Sequence, residues 1–77
     1  MDVKVPDDLW DDDSEGVITV WFANDGETIN ANELLLEIMT AKVQYEILAP
    51  TWGTVSIAVG VDNAVKKGTV VGHISHH

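Results

Sequence analysis

An internal repeat is the feature of this chain that most limits what it can fold into. Three segments of the first half match three of the second: residues 16–20 with 53–57, 25–29 with 61–65, and 34–38 with 70–74. Such a repeat indicates one supersecondary unit used twice and packed against its own copy. With 77 residues, the chain has room for one domain and one modest core.

The repeated unit is predicted to be made of strands. In the second copy, Val55, Ile57 and Val59 alternate with small or polar residues, which is the pattern of a half-buried strand. Turns are predicted at residues 24–26 and 62–63, because Gly, Asn and Asp tolerate positive φ. Each copy therefore reads as strand, turn, strand, turn, short strand, strand.

Residues 32–42 also fit a helix, because they are good helix formers with apolar side chains at the spacing of one helical face. The matching residues 70–74 are largely β-branched and contain a glycine, so they do not fit a helix. If the two copies are alike, the first must be a strand as well. We therefore predict a strand in which Leu34, Leu36 and Ile38 face inward.

Eight short strands in two similar halves predict an all-β fold, either a closed barrel or a sandwich of two sheets, with pseudo-twofold symmetry. In such a fold the joint between the copies, at Lys42, is equivalent to the place where the chain begins and ends. These equivalent places lie at opposite ends of the body. Lys42 is therefore expected to project far from both termini.

The symmetry breaks in the loop of residues 7–15. Ten positions separate Pro6 from Gly16, whereas three separate Pro50 from Gly53. The longer loop should lie at the Lys42 end; it is acidic and carries a Trp10 that we expect to be exposed. It is interpreted as a solvated face or as a contact for a partner, and it lacks the ligand spacing of an EF-hand calcium site.

Composition excludes several classes of function. Thirteen acidic and four basic residues give a formal charge of −9, which argues against nucleic acid and anionic membranes as partners. No apolar run approaches the length of a membrane span, there are no cysteines, and we expect a cytoplasmic protein. We expect His73, His76 and His77 to form a frayed tail rather than a metal site.

Several motifs together resemble a lipoyl domain of the 2-oxo acid dehydrogenase complexes, within the biotinyl/lipoyl attachment family. The similarity runs from Val3 to Ile74, so that residues 1–77 form one carrier domain with its core at 3–74. The matching positions are Val3-Lys4-Val5-Pro6, Glu15-Gly16-Val17-Ile18 with Trp21, Asp25-Gly26-Glu27-Thr28-Ile29, Leu35-Leu36-Glu37-Ile38, Lys42, Glu46-Ile47, Ala49-Pro50 and Gly53. The resemblance implies a flattened β-barrel or sandwich of two four-stranded antiparallel sheets, with the family's modified lysine at Lys42.

The resemblance also implies a function. Lys42 would carry covalent lipoic acid and shuttle acyl groups and reducing equivalents between a thiamin-dependent 2-oxo acid decarboxylase, an acyltransferase and dihydrolipoamide dehydrogenase, after loading by a lipoate ligase. The chain would then be a carrier domain without its own catalytic site, because no nucleophile–base pair is evident. Such a domain can be part of a dihydrolipoamide acyltransferase component.

The residues around Lys42 depart from the family pattern. Lipoyl domains typically read Glu-Thr-Asp-Lys-Ala at this point and biotinyl domains Met-Lys-Met, whereas this chain has Met39, Thr40, Ala41, Lys42 and Val43. Two alternatives therefore stay open: a biotin carboxyl carrier with biotin on Lys42, and an unmodified interaction domain that keeps the fold.

Overall fold

A computed structural model describes residues 1–10 and 14–76 of the chain. The strands within these residues are β1 (Asp2–Lys4), β2 (Gly16–Trp21), β3 (Thr28–Ile29), β4 (Leu34–Met39), β5 (Gln44–Leu48), β6 (Gly53–Ile57), β7 (Ala64–Val65) and β8 (Val70–Ser75). The first half of the molecule, β1 to β4, and the second half, β5 to β8, have the predicted succession, with the third strand of each half reduced to two residues.

The strands form two four-stranded sheets, with orders β1-β8-β6-β3 and β5-β4-β2-β7, and every pairing is antiparallel. Exchanging each strand for its counterpart in the other half converts one order into the other, which is the predicted pseudo-twofold relation. The all-β prediction is confirmed. The two sheets form a sandwich and are not closed into a barrel, because each strand ladder stays within one sheet.

The repeat extends to the backbone angles of the turns. Gly26 has a φ of 89° and Asp62 a φ of 67°, and these residues are 36 positions apart. Asn32, with a φ of 67°, and Gly68, with a φ of 85°, have the same separation. Only Gly, Asn and Asp adopt such angles readily, so the turns predicted at residues 24–26 and 62–63 are confirmed, and the pair Asn32 and Gly68 adds a further turn to each half.

The core lies between the two sheets. Its largest fully buried side chains are Ile18, Leu35, Leu36, Ile38, Ile74, Val5, Val55 and Val71. Both halves and both sheets contribute to this list, so neither half has a core of its own. The two halves therefore pack around one shared core.

Strand β4 differs from the prediction in one respect. Leu36 and Ile38 are buried as expected, but Leu34 is only half-buried and Leu35 is fully buried in its place. The pairing register between β4 and β5 shifts between Leu34 and Leu36, as at a β-bulge. Because a bulge interrupts the alternation of faces, Leu35 and Leu36 both reach the core, and the prediction that Leu34 faces inward is wrong.

The body measures 37 × 21 × 17 Å. Among residues 1–10 and 14–76, no helix has the length and apolar character needed to cross a membrane. The strands run roughly between two ends, and the loops at these ends decide what the sandwich presents to other molecules.

Candidate functional site

Lys42 lies in the turn that joins β4 to β5. Thr40 N donates to Val43 O at 2.9 Å, which closes the turn around Ala41 and Lys42. From this turn β5 leads to Thr51, whose hydroxyl is hydrogen-bonded to His76 near the C-terminus at 2.9 Å. Lys42 and the termini therefore lie at opposite ends of the sandwich, as predicted.

The hydroxyl group of Thr40 fixes the shape of this turn. It donates to Val43 O at 3.0 Å and accepts hydrogen bonds from the amides of Val43, at 3.2 Å, and Lys42, at 3.4 Å. One donor and two acceptor positions are all that a hydroxyl offers, so the side chain is fully used within the turn. The backbone of Lys42 is held by its own neighbour while its side chain is exposed to solvent.

The ammonium group of Lys42 makes no hydrogen bond or ion pair with any residue in 1–10 or 14–76. Its flexible four-carbon stem starts from an exposed turn, so the nitrogen is accessible to an enzyme that would acylate it. A lysine amide would remove the positive charge and extend the arm. The local geometry therefore fits covalent attachment of a carboxylic acid cofactor such as lipoic acid or biotin.

A groove of about 250 Å³ lies at the foot of Lys42; we call it the tip groove. Its lining residues are Trp10, Ser14, Thr40, Ala41, Lys42, Val43 and Tyr45. The indole ring of Trp10 and the phenol ring of Tyr45 have centroids 5.8 Å apart and a tilt of 37°. The groove thus combines an aromatic wall with the turn that carries the lysine.

Trp10 is 7% exposed, so the prediction of an exposed tryptophan is wrong. The Trp10 ring packs beside Tyr45, and Trp10 Nε1 donates to Ser14 O at 2.8 Å. An indole that buries its faces and also satisfies its N–H is favourable in such a position. Trp10 is therefore part of the wall of the tip groove rather than a solvent-exposed contact.

The loop is also held from the second half of the molecule. Lys67, in the turn between β7 and β8, donates from Nζ to Trp10 O at 2.7 Å. In the same turn, Gly68 N donates to Val5 O at 2.8 Å. Trp10 and Ser14 line the tip groove together with Lys42, so the described parts of the loop lie at the Lys42 end, as predicted. Asp11, Asp12 and Asp13 lie outside the described residues, and their contact with a partner stays a prediction.

The histidines occupy the opposite end. His73 lies in β8, where its Nδ1 donates to Asp2 Oδ1 at 3.1 Å, and this hydrogen bond holds the pKa of the Asp2 carboxyl below its usual value. His76 stacks on Trp52 with ring centroids 4.5 Å apart. The prediction of a frayed tail is therefore wrong for these two residues, and His77 lies outside the described residues. In the part of the chain that the structure describes, no three His, Asp or Glu side chains cluster as metal ligands would.

A family model described as "Biotin-requiring enzyme" matches residues 2–74, nearly the whole chain. The chain belongs to the biotinyl/lipoyl attachment family. Its body is also similar to the solution structure of the lipoyl domain of the 2-oxoglutarate dehydrogenase complex from Azotobacter vinelandii, with a TM-score of 0.78, 27% identity and coverage of 99% of this chain and 96% of that one.

Curated relatives of this biotinyl/lipoyl domain are much longer proteins. One is the dihydrolipoyllysine-residue acetyltransferase component of the pyruvate dehydrogenase complex of Corynebacterium glutamicum, which is 40% identical over 74 residues, or 95% of this chain and 11% of the relative. Another is the dihydrolipoyllysine-residue succinyltransferase component of the 2-oxoglutarate dehydrogenase complex of Rickettsia bellii, which is 36% identical over 63 residues, or 80% of this chain and 16% of the relative. The chain thus spans less than a fifth of either relative.

Two residues of the biotinyl/lipoyl domain were not found as functional residues from the sequence. Thr40 is recognisable in principle, since Ser and Thr often bond the backbone two or three residues on within turns. Lys67 gives no such signal, because a lysine in a turn is usually solvated. Its contact with Trp10 depends on the packing of one half against the loop of the other.

Proposed function

We propose that the chain is a lipoyl carrier module of a 2-oxo acid dehydrogenase-type complex, with the lipoyl group on the Lys42 amine. The observation that carries the proposal is the exposed side chain of Lys42, which is unpaired among the described residues 1–10 and 14–76, on a turn fixed by Thr40. Membership of the family and the dihydrolipoyllysine-residue acyltransferases among the relatives support lipoic acid as the cargo.

Attachment would form one amide bond between Lys42 Nζ and the carboxyl carbon of an activated lipoate, releasing the activating group and a proton. When bound, lipoic acid supplies a ring disulfide that takes up an acyl group together with electrons and can be reoxidised. The protein itself supplies position and presentation. Its rigid turn and the separation of Lys42 from the termini allow the loaded end to visit partners while the other end is tethered.

The partners proposed are a thiamin-dependent 2-oxo acid decarboxylase, an acyltransferase, dihydrolipoamide dehydrogenase and a lipoate ligase. Tethering raises the effective concentration of the arm at each partner, without any new contact. The formal charge of −9 favours encounter with basic surfaces on these enzymes. In this proposal the chain carries groups and leaves the chemical steps to its partners, as one domain of an acyltransferase component or as a separate carrier.

The intact mass of the chain after expression with lipoate and a lipoate ligase tests the attachment. We expect one lipoyl adduct on the unmodified sequence and none on Lys42→Arg, which keeps the charge but is not acylated. Lys66→Arg is the matched control, because Lys66 is also an exposed turn lysine and its replacement should leave the adduct intact. Absence of an adduct on the unmodified sequence would contradict the proposal, and an adduct formed only with a biotin ligase would assign the alternative cargo.

Transfer is tested separately with the loaded protein. Incubation with a thiamin-dependent decarboxylase and its 2-oxo acid should add the mass of one acyl group and one hydrogen atom to the lipoylated chain, because one ring sulfur is acylated and the other becomes a thiol, and should leave the unloaded chain unchanged. If pyruvate and 2-oxoglutarate are offered to their respective decarboxylases in parallel, the faster reaction identifies the complex. A loaded chain that no decarboxylase acylates would contradict the carrier function while leaving the attachment established.

A further inference from the structure

The tip groove and the lysine that would carry the arm share one turn. Lys42 lines the groove together with Val43, Trp10 and Tyr45. An arm on Lys42 therefore starts at the rim of an apolar, partly aromatic depression. A ligand tethered at this point needs only to fold back along its flexible methylene groups to enter it.

We propose that the tip groove is a resting dock for the arm on Lys42 and receives its aliphatic chain and dithiolane ring between acyl transfers. This inference rests on the proposed function, since the ligand is the lipoyl group itself. The chemistry matches in two respects. The aliphatic chain is apolar, like the groove wall, and the sulfur atoms of the ring are polarisable groups of the kind that make favourable contacts with aromatic rings.

The groove is formed before any ligand enters it. Trp10 is fixed at both its indole N–H, by Ser14 O at 2.8 Å, and its carbonyl, by Lys67 Nζ at 2.7 Å. The turn that carries Lys42 also lines the groove, and the hydroxyl of Thr40 closes this turn. Because the walls need no rearrangement, docking loses little conformational entropy from the protein and is limited mainly by ordering of the arm.

The tether sets how often the arm would dock. A short flexible linker gives an effective concentration on the order of 1 mM, and docking that remains readily reversible requires a Kd for free ligand of the same order, about 1 mM. The tethered arm would then occupy the groove roughly half of the time. Such weak docking shields the ring from solvent between reactions and still releases the arm to partners.

The three tryptophans of the chain provide a readout at atomic level. The indole N–H of Trp10 lies at the groove, that of Trp21 donates to Val59 O at 2.9 Å within the body, and Trp52 lies at the opposite end on His76. We expect the ¹H–¹⁵N signal of the Trp10 indole to shift when Lys42 is lipoylated. The Trp21 and Trp52 signals should stay in place and serve as internal controls.

Complete loading is verified by intact mass before the spectra are compared, so that a missing adduct is not mistaken for a missing dock. A fully loaded chain in which the Trp10 signal is unchanged would overturn the inference. Equal shifts of all three indole signals would also overturn it, because they would indicate a general change of the fold instead of docking.

Free lipoamide provides the test that does not depend on attachment. Titrated into unloaded protein up to the millimolar range, it should shift the Trp10 signal with saturation and leave the Trp52 signal unchanged. Tyr45→Leu, which keeps an apolar side chain but removes the aromatic wall, should weaken this binding several-fold. Trp52→Leu at the other end is the matched control and should bind as the unmodified sequence does.

The two proposals fail in different ways. If ligases leave Lys42 unmodified while lipoamide still shifts the Trp10 signal, the carrier function is wrong and the groove remains a ligand site. If Lys42 is loaded but neither the arm nor free lipoamide shifts the Trp10 signal, the dock is wrong and the carrier function stands.

Discussion

The two ends of the sandwich are related by the internal repeat, yet the tryptophan at one end is buried and the tryptophan at the other is exposed. At the Lys42 end, Trp10 is 7% exposed and packs beside Tyr45. At the terminal end, Trp52 is 46% exposed and stacks on His76, which lies beyond the last strand. The first tryptophan forms part of a groove, and the second covers the end of the chain.

Loop length explains this difference. Pro6 is followed by Gly16 only after ten positions, whereas Pro50 is followed by Gly53 after three. The longer connection contains Trp10, whose carbonyl group is held by Lys67 of the other half. The symmetric strands supply a rigid body, and the insertion at one end makes that end suited to a ligand.

The largest difference between the ends is expected on truncation of the tryptophans. Trp10→Ala should lower the free energy of unfolding by about 3–5 kcal/mol, because it leaves a cavity beside Tyr45 and removes the hydrogen bond to Ser14. Trp52→Ala removes an exposed ring and should lower it by less than about 1 kcal/mol. Urea unfolding followed by circular dichroism measures both changes, and equal losses would show that the two ends are packed alike.

Gly16 and Gly53, the equivalent first residues of β2 and β6, extend the comparison of the two halves to the strands. Gly53 has a φ of 145°, and a Cβ there would overlap the backbone of Ser75, so Gly53→Ala should cost about 3 kcal/mol. A Cβ at Gly16 would meet side chains instead, the methyl group of Ile38 and the ring of Trp10. Gly16→Ala should therefore cost about 1–2 kcal/mol, and the reverse order in thermal unfolding would contradict this account of the two strands.

The anchor of the long loop is tested with adjacent lysines. Lys67→Met removes the hydrogen bond to the carbonyl of Trp10 but keeps the apolar stem, and should cost about 1–2 kcal/mol. It should also speed hydrogen exchange at the Trp10 indole N–H, because Trp10 is then held less firmly. Lys66→Met, the control for the same loss of charge, should change stability by less than about 0.5 kcal/mol. If the two variants behave alike, the contact of Lys67 does not hold the loop.

Much of the fold can be predicted from the sequence because each element of the repeat occurs twice, and an ambiguous pattern in one copy can be compared with its counterpart in the other. Residues 34–38 alone fit a helix, and only their counterpart at 70–74 identifies them as a strand. The inward orientation predicted for Leu34 is wrong, because the alternation of apolar and polar residues in the sequence does not reveal a bulge in the pairing register. Trp10 was missed for a similar reason: a loop has no periodicity from which the burial of a side chain can be predicted.

A threonine at each end tests how far the turn geometry matters. Thr40→Val removes the hydroxyl that closes the Lys42 turn and should slow lipoylation several-fold, with a loss of stability of about 1 kcal/mol. Thr51→Val, which removes the contact with His76 at the other end, should leave the lipoylation rate unchanged. The initial rates of lipoylation of the two variants are measured by intact mass. Equal rates would mean that the ligase does not depend on the geometry of the Lys42 turn.

The smallest effect is expected from the ion pair at the terminal end. The pKa of Asp2 is lower in the folded chain than its usual value of 3.8, so the unfolded state binds more protons at acidic pH. The contribution of Asp2 to stability is present above pH 3.8 and is lost as the pH falls through the lower folded pKa. Asp2→Asn should remove this part of the acid dependence in urea unfolding at several pH values and leave lipoylation unaffected. An unaltered pH profile would show that the pair contributes nothing.

Fragment mapping of the loaded chain by tandem mass spectrometry tests the central claim most directly, because the sequence contains four lysines at which an adduct could form. The account predicts that after expression with lipoate and its ligase the adduct is found on Lys42 alone, with Lys4, Lys66 and Lys67 unmodified. An adduct on any other lysine, or a chain that stays unmodified, would contradict the claim that the groove-bearing end of the sandwich is the loaded end.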